Sequence, residues 1–428
     1  MPKDLNPDLY QRRESEARSY CRSFPTSFVR ASGSEMWDAK GNRYIDFLAG
    51  CSSLNYGHND PDMKAALIEH IQADGIAHGL DMHTEQKQAF LQTFEDIILK
   101  PRNMDYKVMM TGPTGTNAVE SAMKLARKVT GRRNIIAFTN GFHGMTMGAL
   151  AATGNAGKRA GAGSVSLTDT SHMPYEHAFG QDMDSLRIME QMLANPSSGI
   201  DAPAAFIIEP VQGEGGLNAA SGDFMRGVAR LAKEHGALLI VDDIQAGCGR
   251  TGTFFSFEEM GIEPDLIPMA KSFSGMGLPF AALLIKPEYD IWKPAEHNGT
   301  FRGNTHAFVT ARVALEKFWK DDSFQKELAE KAVILTTGLQ AVADEIQGAK
   351  LKGRGLMQGV DVGSGDLAED ICARCFEKGL IIETSGAGDE VVKVLAAITT
   401  PVALYREGLE ILLEATREAI ANTKMAAE

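Results

Sequence analysis

Short apolar runs alternate with amphipathic segments through the middle of the chain. Continuous apolar runs of about four to eight residues are typical of strands that are buried on both faces of a sheet. Amphipathic segments that end at glycine, such as residues 117–131 and 224–236, are typical of helices. The predicted strands are residues 107–112, 134–140, 204–210, 237–244, 265–272 and 281–287. This alternation predicts an α/β domain with a mostly parallel sheet covered on both faces.

The two ends of the chain follow a different pattern. Two short runs within residues 30–56, on either side of Lys40-Gly41-Asn42, predict a hairpin. Residues 311–428 alternate long amphipathic helices with short strands. We therefore expect an N-terminal segment, a large domain and a C-terminal segment, at residues 1–60, 61–309 and 310–428. The two terminal segments are expected to form one smaller α+β domain, with a ligand site between it and the strand ends of the large domain.

Charge and cysteine content narrow the classes of partner. The net charge of −13, from 43 basic and 56 acidic side chains, argues against a nucleic-acid or anionic-membrane partner. Five cysteines without regular spacing argue against a disulfide framework. Cys372 and Cys375 form a C-x-x-C, but their surroundings predict an amphipathic helix with two half-buried thiols, so no metal is expected. A cytoplasmic location is predicted, because the sequence has neither a secretory signal nor an apolar run long enough to span a bilayer.

Chemically useful side chains stand where two predicted strands end. Asp242 and Asp243 follow an apolar run that begins at Ala237, and Lys271 ends the next run. Taken singly, each has an ordinary interpretation, as a turn-capping aspartate or a solvated lysine. Together they suit a cofactor that carries an aldehyde on a pyridine ring. A lysine amine forms an imine with an aldehyde and shuttles protons, and a carboxylate keeps a pyridine nitrogen protonated.

Three further segments carry candidate site residues. The small residues of 111–117 lie between a strand and a helix, where backbone N–H groups can bind a phosphate. Phe142 and His143 follow a strand, and the aromatic ring could stack on a cofactor or belong to the core. Glu209 and Glu214 lie in a glycine-rich loop, which predicts either a solvated turn or the wall of an active site.

Residues 247–252 match the G-x-G-x-x-G motif of dinucleotide-binding proteins. The motif does not open a helix directly after a strand, since a bulky aromatic stretch follows it. The alternative of a nicotinamide-dependent oxidoreductase is therefore disfavoured.

These pieces, in this order, resemble the class III (ornithine-aminotransferase-like) aminotransferases, over nearly the whole chain. The family belongs to fold type I of the pyridoxal 5'-phosphate (PLP) enzymes. The segments that carry the resemblance are T-G-T-N-A-V-E (114–120), F-H-G-M-T (142–146), E-P-V-Q-G-E-G-G (209–216), D-D-I-Q (242–245), K-S (271–272) and N-G-T-F-R-G-N (298–304). The resemblance implies an amino-group transfer with PLP as cofactor.

The resemblance also implies roles for the residues that grip the cofactor. Lys271 carries PLP as an imine and is the catalytic base, and Asp242 pairs with the pyridinium. Gln245 contacts the phenolic oxygen of the ring. Gly115 and Thr116 hold the phosphate.

The remaining implied cofactor contacts are less direct. Phe142 stacks on the ring, and His143 and Glu209 line its pocket. Thr300 reaches the phosphate of the neighbouring subunit, so a homodimer or a larger homo-oligomer is expected.

The substrate contacts depart from the family pattern. Glu214 is the candidate gate residue. Lys393 stands where many members have the arginine that binds the substrate α-carboxylate, and Ala396-Ala397 replace two prolines. Lysine lacks the bidentate fork of arginine, so Arg302 is a hypothetical replacement. Asp243 also differs, since most of the class has glutamate there.

Further sequence segments, residues 15–25 and 54–59 among others, resemble those of one subfamily, the diaminobutyrate–2-oxoglutarate aminotransferases of ectoine biosynthesis. This resemblance implies amino transfer from L-glutamate to L-aspartate 4-semialdehyde, which gives L-2,4-diaminobutyrate and 2-oxoglutarate. Two alternatives remain open. One is another class III transaminase that uses ornithine, acetylornithine or 4-aminobutyrate, and the other is a non-catalytic protein with the same fold.

Overall fold

A seven-stranded sheet forms the centre of the computed structural model, which describes residues 7–163, 165–180 and 182–427. The strand Ala282–Ile285 is antiparallel to both of its neighbours, and the other pairs are parallel. In spatial order the strands are Lys107–Met110, Ala282–Ile285, Leu266–Met269, Leu238–Val241, Pro203–Ile208, Asn134–Phe138 and Thr170–Met173. The prediction of a mostly parallel sheet is therefore confirmed. Residues 1–6 and 428, at the outer ends of the predicted terminal segments, lie outside the described residues.

Six of these strands were predicted from their apolar runs, to within a few residues. The seventh, Thr170–Met173, was missed because its sequence begins with three polar residues. It pairs with one neighbour only, Asn134–Phe138, so it needs less apolar surface than the central strands.

Helices cover both faces of this sheet. The helix Gly115–Thr130 is the clearest case: Thr114 and Asn117 form a capping box at its start, and Gly131 ends it in the left-handed conformation. Its buried face includes Val119, Ala122 and Leu125. The other helices of this part of the chain are Pro61–Gln72, Glu85–Phe94, Met147–Ala152, Ala156–Ala160, Ser185–Ala194, Gly222–Glu234 and Thr305–Phe318.

The ends of the chain meet in a smaller α+β unit. The predicted hairpin around Gly41 is confirmed, since Glu35–Asp38 pairs antiparallel with Arg43–Asp46. Leu380–Ile381, from far along the chain, adds parallel to Arg43–Asp46. One four-stranded sheet therefore contains residues from both termini, as predicted. The domain boundaries themselves stay a prediction.

A second four-stranded sheet belongs to the C-terminal segment. Its strands, in spatial order, are Lys350–Arg354, Met357–Asp361, Val391–Val394 and Glu383–Ser385. The long helices Ser323–Asp344, Gly365–Glu377 and Val402–Ala427 complete this unit. The helix predicted around Cys372 and Cys375 is present, and both thiols are free.

Within the described part of the chain, no helix combines the length and the apolar character that crossing a membrane requires.

Candidate active site

A cavity of about 520 Å³ lies at the carboxyl ends of the central strands. Glu209, Asp242 and Lys271 enter it from three neighbouring strands, because each follows the end of its strand by one or two residues. The other lining residues are Ser53, Pro113, Thr114, Gly115, Thr116, Phe142, His143, Gly144, Met145, Glu214, Ile244, Gln245, Ala270, Gly277, Leu278, Pro279 and Phe280. The edge where ligands bind in open α/β sheets is therefore also where the predicted side chains meet.

Asp242 is buried and paired with a buried histidine. Its Oδ2 lies 2.8 Å from His143 Nδ1, and its Oδ1 accepts a hydrogen bond of 3.2 Å from the backbone N–H of Ile244. Burial lowers the pKa of His143, but the hydrogen bond and charge of Asp242 outweigh it and raise that pKa overall. The pair therefore presents a compensated carboxylate at the cavity wall rather than an isolated buried charge.

Lys271 lies at the end of a strand in an unusual backbone conformation. Its φ angle is 53°, in the left-handed region that costs a non-glycine residue about 1 kcal/mol. The next residue, Ser272, fixes this turn, because its hydroxyl donates to Ser52 O at 2.6 Å and accepts from Asn55 N at 2.9 Å. The N-terminal segment thus holds the strand end that carries the lysine.

Glu209 organises the loop that carries Phe142. Its carboxylate accepts the backbone N–H of Phe142 at 2.8 Å and that of Gly213 at 3.4 Å. Burial raises the pKa of Glu209 to about 7. We call the residues that converge here the strand-end group: His143, Glu209, Asp242 and Lys271.

A cradle for an anion stands at the other side of the cavity. Gly115 and Thr116 begin a 16-residue helix, whose first N–H groups have no partner within the helix. Two glycines keep this space open: a Cβ at Gly115 would lie 3.0 Å from Ile244, and one at Gly144 would lie 2.2 Å from Thr116 Oγ1. The Thr116 hydroxyl is oriented by Thr146, 2.7 Å away.

These features together fit PLP. The cradle suits its phosphate, the buried carboxylate suits a protonated pyridine nitrogen, and Lys271 supplies an amine for its aldehyde. Phe142 and Ile244 add apolar surface to the same cavity.

A second set of charges lies next to the cavity, and we call Glu214, Glu383 and Lys393 the charged cluster. The Lys393 side chain is 0% exposed, and its Nζ lies 3.0 Å from Glu214 Oε1 and 2.9 Å from Glu383 Oε1. Burial lowers the pKa of Lys393, but the attraction of the two carboxylates raises it overall, so the lysine stays charged. Burial raises the pKa of Glu214, whereas Lys393 and Lys271 lower it by more, to about 2.

Gln245 joins the charged cluster to the cavity. Its Nε2 donates to Glu214 Oε1 at 3.4 Å and to Cys51 O at 3.3 Å. Gly213 is required for this position, because a Cβ there would lie 1.4 Å from Gln245 Oε1.

Besides Lys393, which lies behind Glu214, two predicted residues do not line this cavity. Thr300 is exposed and does not line it. Arg302 pairs with Asp81 and donates to His297 O at 3.2 Å. The role of Thr300 across a subunit interface and that of Arg302 towards substrate stay predictions.

Three residues of this region were not found from the sequence. The Tyr20 hydroxyl lies 2.8 Å from Cys51 Sγ, and Cys51 Sγ lies 4.0 Å from Glu383 Oε2. Burial raises the pKa of Cys51 to about 11, and the nearby Glu383 adds to this. For Glu383, the one available signal was a charged residue directly after the apolar run 380–382.

Comparison with known proteins decides the family. The sequence model of one family, described as Aminotransferase class-III, matches residues 17–416. The chain is a class-III aminotransferase. The predicted cofactor of this aminotransferase, PLP, is thereby confirmed.

Relatives of this aminotransferase are similar over almost their full length. It is 52% identical to a diaminobutyrate–2-oxoglutarate transaminase from Halalkalibacterium halodurans, over 98% of both chains. It is 53% identical to the Vibrio cholerae protein of the same name, over 95% of this chain and 98% of that one. An ornithine aminotransferase structure from Toxoplasma gondii, which holds PLP at partial occupancy, is 25% identical with a TM-score of 0.81, over 97% and 95% of the chains.

Proposed function

We propose that the enzyme transfers the amino group of L-glutamate to L-aspartate 4-semialdehyde, which gives L-2,4-diaminobutyrate and 2-oxoglutarate, as in ectoine biosynthesis. The observation that carries this proposal is the identity of 52–53% with diaminobutyrate–2-oxoglutarate transaminases over nearly the whole chain. The alternative, another ω-amino transaminase of the class such as an ornithine aminotransferase, has the weaker support of 25% identity.

The strand-end group provides the chemistry in this proposal. PLP, when bound, supplies the electron sink for the reacting carbon. Lys271 Nζ would remove the proton from that carbon of the amino acid and deliver it to the carbon on the other side of the amino nitrogen. Asp242, oriented by His143, would stabilise positive charge at the ring nitrogen. Gly115 and Thr116 would hold the phosphate, and Glu209 fixes the loop that carries Phe142 by accepting its backbone N–H.

The charged cluster provides substrate selection. Glutamate presents two carboxylates, whereas diaminobutyrate presents one carboxylate and a second ammonium group. Glu214 lines the cavity and its partner Lys393 lies behind it, so a carboxylate that is held by a buried cation faces the substrate.

A donor panel with the PLP-loaded enzyme tests the function. With 2-oxoglutarate as acceptor, glutamate formation is measured for diaminobutyrate, ornithine, acetylornithine and 4-aminobutyrate. We expect the highest kcat/KM for diaminobutyrate. A higher value for any of the other three donors would replace the proposed substrate by that donor.

We further propose that the enzyme acts in the cytoplasm as a homodimer or a larger homo-oligomer. Five large apolar side chains within residues 68–82 support this assembly, because each is 45–58% exposed in the single chain: Ile68, Ile71, Ile76, Leu80 and Met82. The molecular mass measured in solution should therefore correspond to at least two chains.

A further inference from the structure

The charged cluster contains one more carboxylate than its lysine needs. Lys393 and Glu383 stand directly opposite each other on two antiparallel strands, Val391–Val394 and Glu383–Ser385. The 2.9 Å ion pair between them is therefore set by the register of the sheet. Glu214 reaches the same ammonium at 3.0 Å, from the turn between the short paired strands Val211–Gln212 and Asn218–Ala219. The cluster carries one positive and two negative charges.

The two carboxylates differ in their access to substrate. The Glu214 side chain is 30% exposed and lines the cavity. The Glu383 side chain is 13% exposed and does not line it. Its other oxygen lies 4.0 Å from Cys51 Sγ, a thiol of the N-terminal segment. Glu383 thus has contacts within the protein on both oxygens, whereas Glu214, which contacts Lys393 and Gln245 through one oxygen, also faces the cavity.

A buried ammonium that loses its only charged partner strongly destabilises the folded protein. Lys393 is fully buried, so Glu214 could not leave it at moderate cost if Glu214 were its only carboxylate. Because Glu383 remains on Lys393, the departure of Glu214 leaves a neutral pair behind.

We propose that Glu383 is a positioning residue that keeps Lys393 neutralised, so that Glu214 can turn from Lys393 to the second ammonium group of a diamino acid substrate. This inference rests on the proposed function, since it names the side chain that would recognise the second ammonium group, which a diamino acid has and a simple ω-amino acid lacks. In the resting enzyme Glu214 stays on Lys393. When a diamino acid enters, its ammonium replaces that of Lys393 as the partner of Glu214.

Two donors isolate this contact. L-2,4-Diaminobutyrate and 4-aminobutyrate have the same reacting amine, chain length and carboxylate, and they differ only in the second ammonium group. Both give glutamate from 2-oxoglutarate, so one assay on the holoenzyme measures kcat and KM for each. Where 4-aminobutyrate turns over too slowly, its inhibition constant against diaminobutyrate reports its affinity.

Glu383→Gln is expected to lower the diaminobutyrate/4-aminobutyrate ratio of kcat/KM about tenfold, the loss of one charge-assisted contact, through KM for diaminobutyrate. Lys393 then keeps Glu214 for itself. Glu214→Gln removes the carboxylate directly and is expected to lower the same ratio, while Lys393 remains held by Glu383. Glu383→Asp, which keeps the charge, is expected to recover most of the ratio.

The control is Glu327→Gln, which removes an acidic partner from another buried lysine, Lys331, away from the cavity. It should leave the ratio unchanged. The inference is overturned if Glu383→Gln leaves the ratio unchanged, or if it lowers the values for both donors in parallel, as a merely structural role would.

Failure of the proposed function would be seen separately, in the wild-type donor panel. If ornithine is the preferred donor there, the same variants are compared with ornithine and 5-aminopentanoate, its analogue without the second ammonium. The ratio for that pair then supports or overturns the role of Glu383.

Discussion

The strand-end group and the charged cluster lie beside the same cavity, but the chain builds them in different ways. Asp242 and Lys271 each follow the end of an apolar strand, so neighbouring parallel strands deliver them to one edge. Glu214, Glu383 and Lys393 come from a loop and from two strands of another sheet. The first group serves steps that every substrate shares, whereas the second faces the part of the substrate that varies. Chemistry and selection should therefore be separable by substitution.

The largest effect is expected from Asp242→Asn. Loss of the charge that stabilises the protonated ring nitrogen should lower kcat about 10²–10³-fold, the usual cost of removing one preorganised electrostatic contact. The decrease should be the same for diaminobutyrate and 4-aminobutyrate, measured with the cofactor-loaded variant. A changed ratio between the two donors would show that the two groups are not separable.

Lys393→Met is expected to lower the stability of the folded protein. Two carboxylates would be left without their buried partner, at a cost of about 3 kcal/mol measured by chemical denaturation. Adding Glu383→Gln to this variant should restore part of that stability, because the excess negative charge falls. Lys331→Met is the matched control, which should cost less stability, because the carboxylate partner of Lys331, Glu327, is 55% exposed and stays solvated. Wild-type stability of Lys393→Met would contradict the ion-pair geometry.

The smallest effect is expected from Asp243→Asn. Burial raises the pKa of Asp243 to about 7, against the hydrogen bonds of Ser256 that lower it. The folded protein then binds a proton more readily than the unfolded chain, so Asp243 makes stability fall as pH rises from about 4 to about 7. Asparagine removes this titration. The Tm of the variant should fall less than that of the wild type between about pH 5 and pH 8.

The pKa of Glu209 is also raised to about 7, so the Tm of this variant should still fall somewhat as pH rises. Asp389→Asn, at an exposed aspartate, is the control, and its Tm should change with pH as that of the wild type does. Equal slopes for wild type and Asp243→Asn would show that Asp243 does not titrate in this range.

The difference between the strand-end group and the charged cluster also explains which parts of the site could be predicted from the sequence. The central strands and the positions of Asp242 and Lys271 follow from local patterns, because a buried strand is a continuous apolar run and its end is marked by the first polar residue. The pairing of Glu383 with Lys393 depends on which residues of two strands stand opposite each other, and no local pattern sets that register.

The edge strand Thr170–Met173 and the contact of Tyr20 with Cys51 were missed for related reasons. The strand is too polar to be recognised from its own residues. The contact joins side chains 31 residues apart, through a turn in which Cys51 has a positive φ of 54°. Lys271 taken alone has the ordinary interpretation of a solvated lysine; its pairing with Asp242, and then the resemblance to the family, supplied its role.

The reversed strand Ala282–Ile285 determines how the cavity is closed. A parallel strand at this place would need a crossover that carries the chain to the opposite edge of the sheet, away from the site. Because the strand is reversed, the connection, residues 270–281, leaves the sheet and re-enters it at the same edge. This connection therefore stays at the mouth of the site, and Gly277, Leu278, Pro279 and Phe280 all line it. Changes in the length of this connection can reshape the entrance while the register of the sheet is kept.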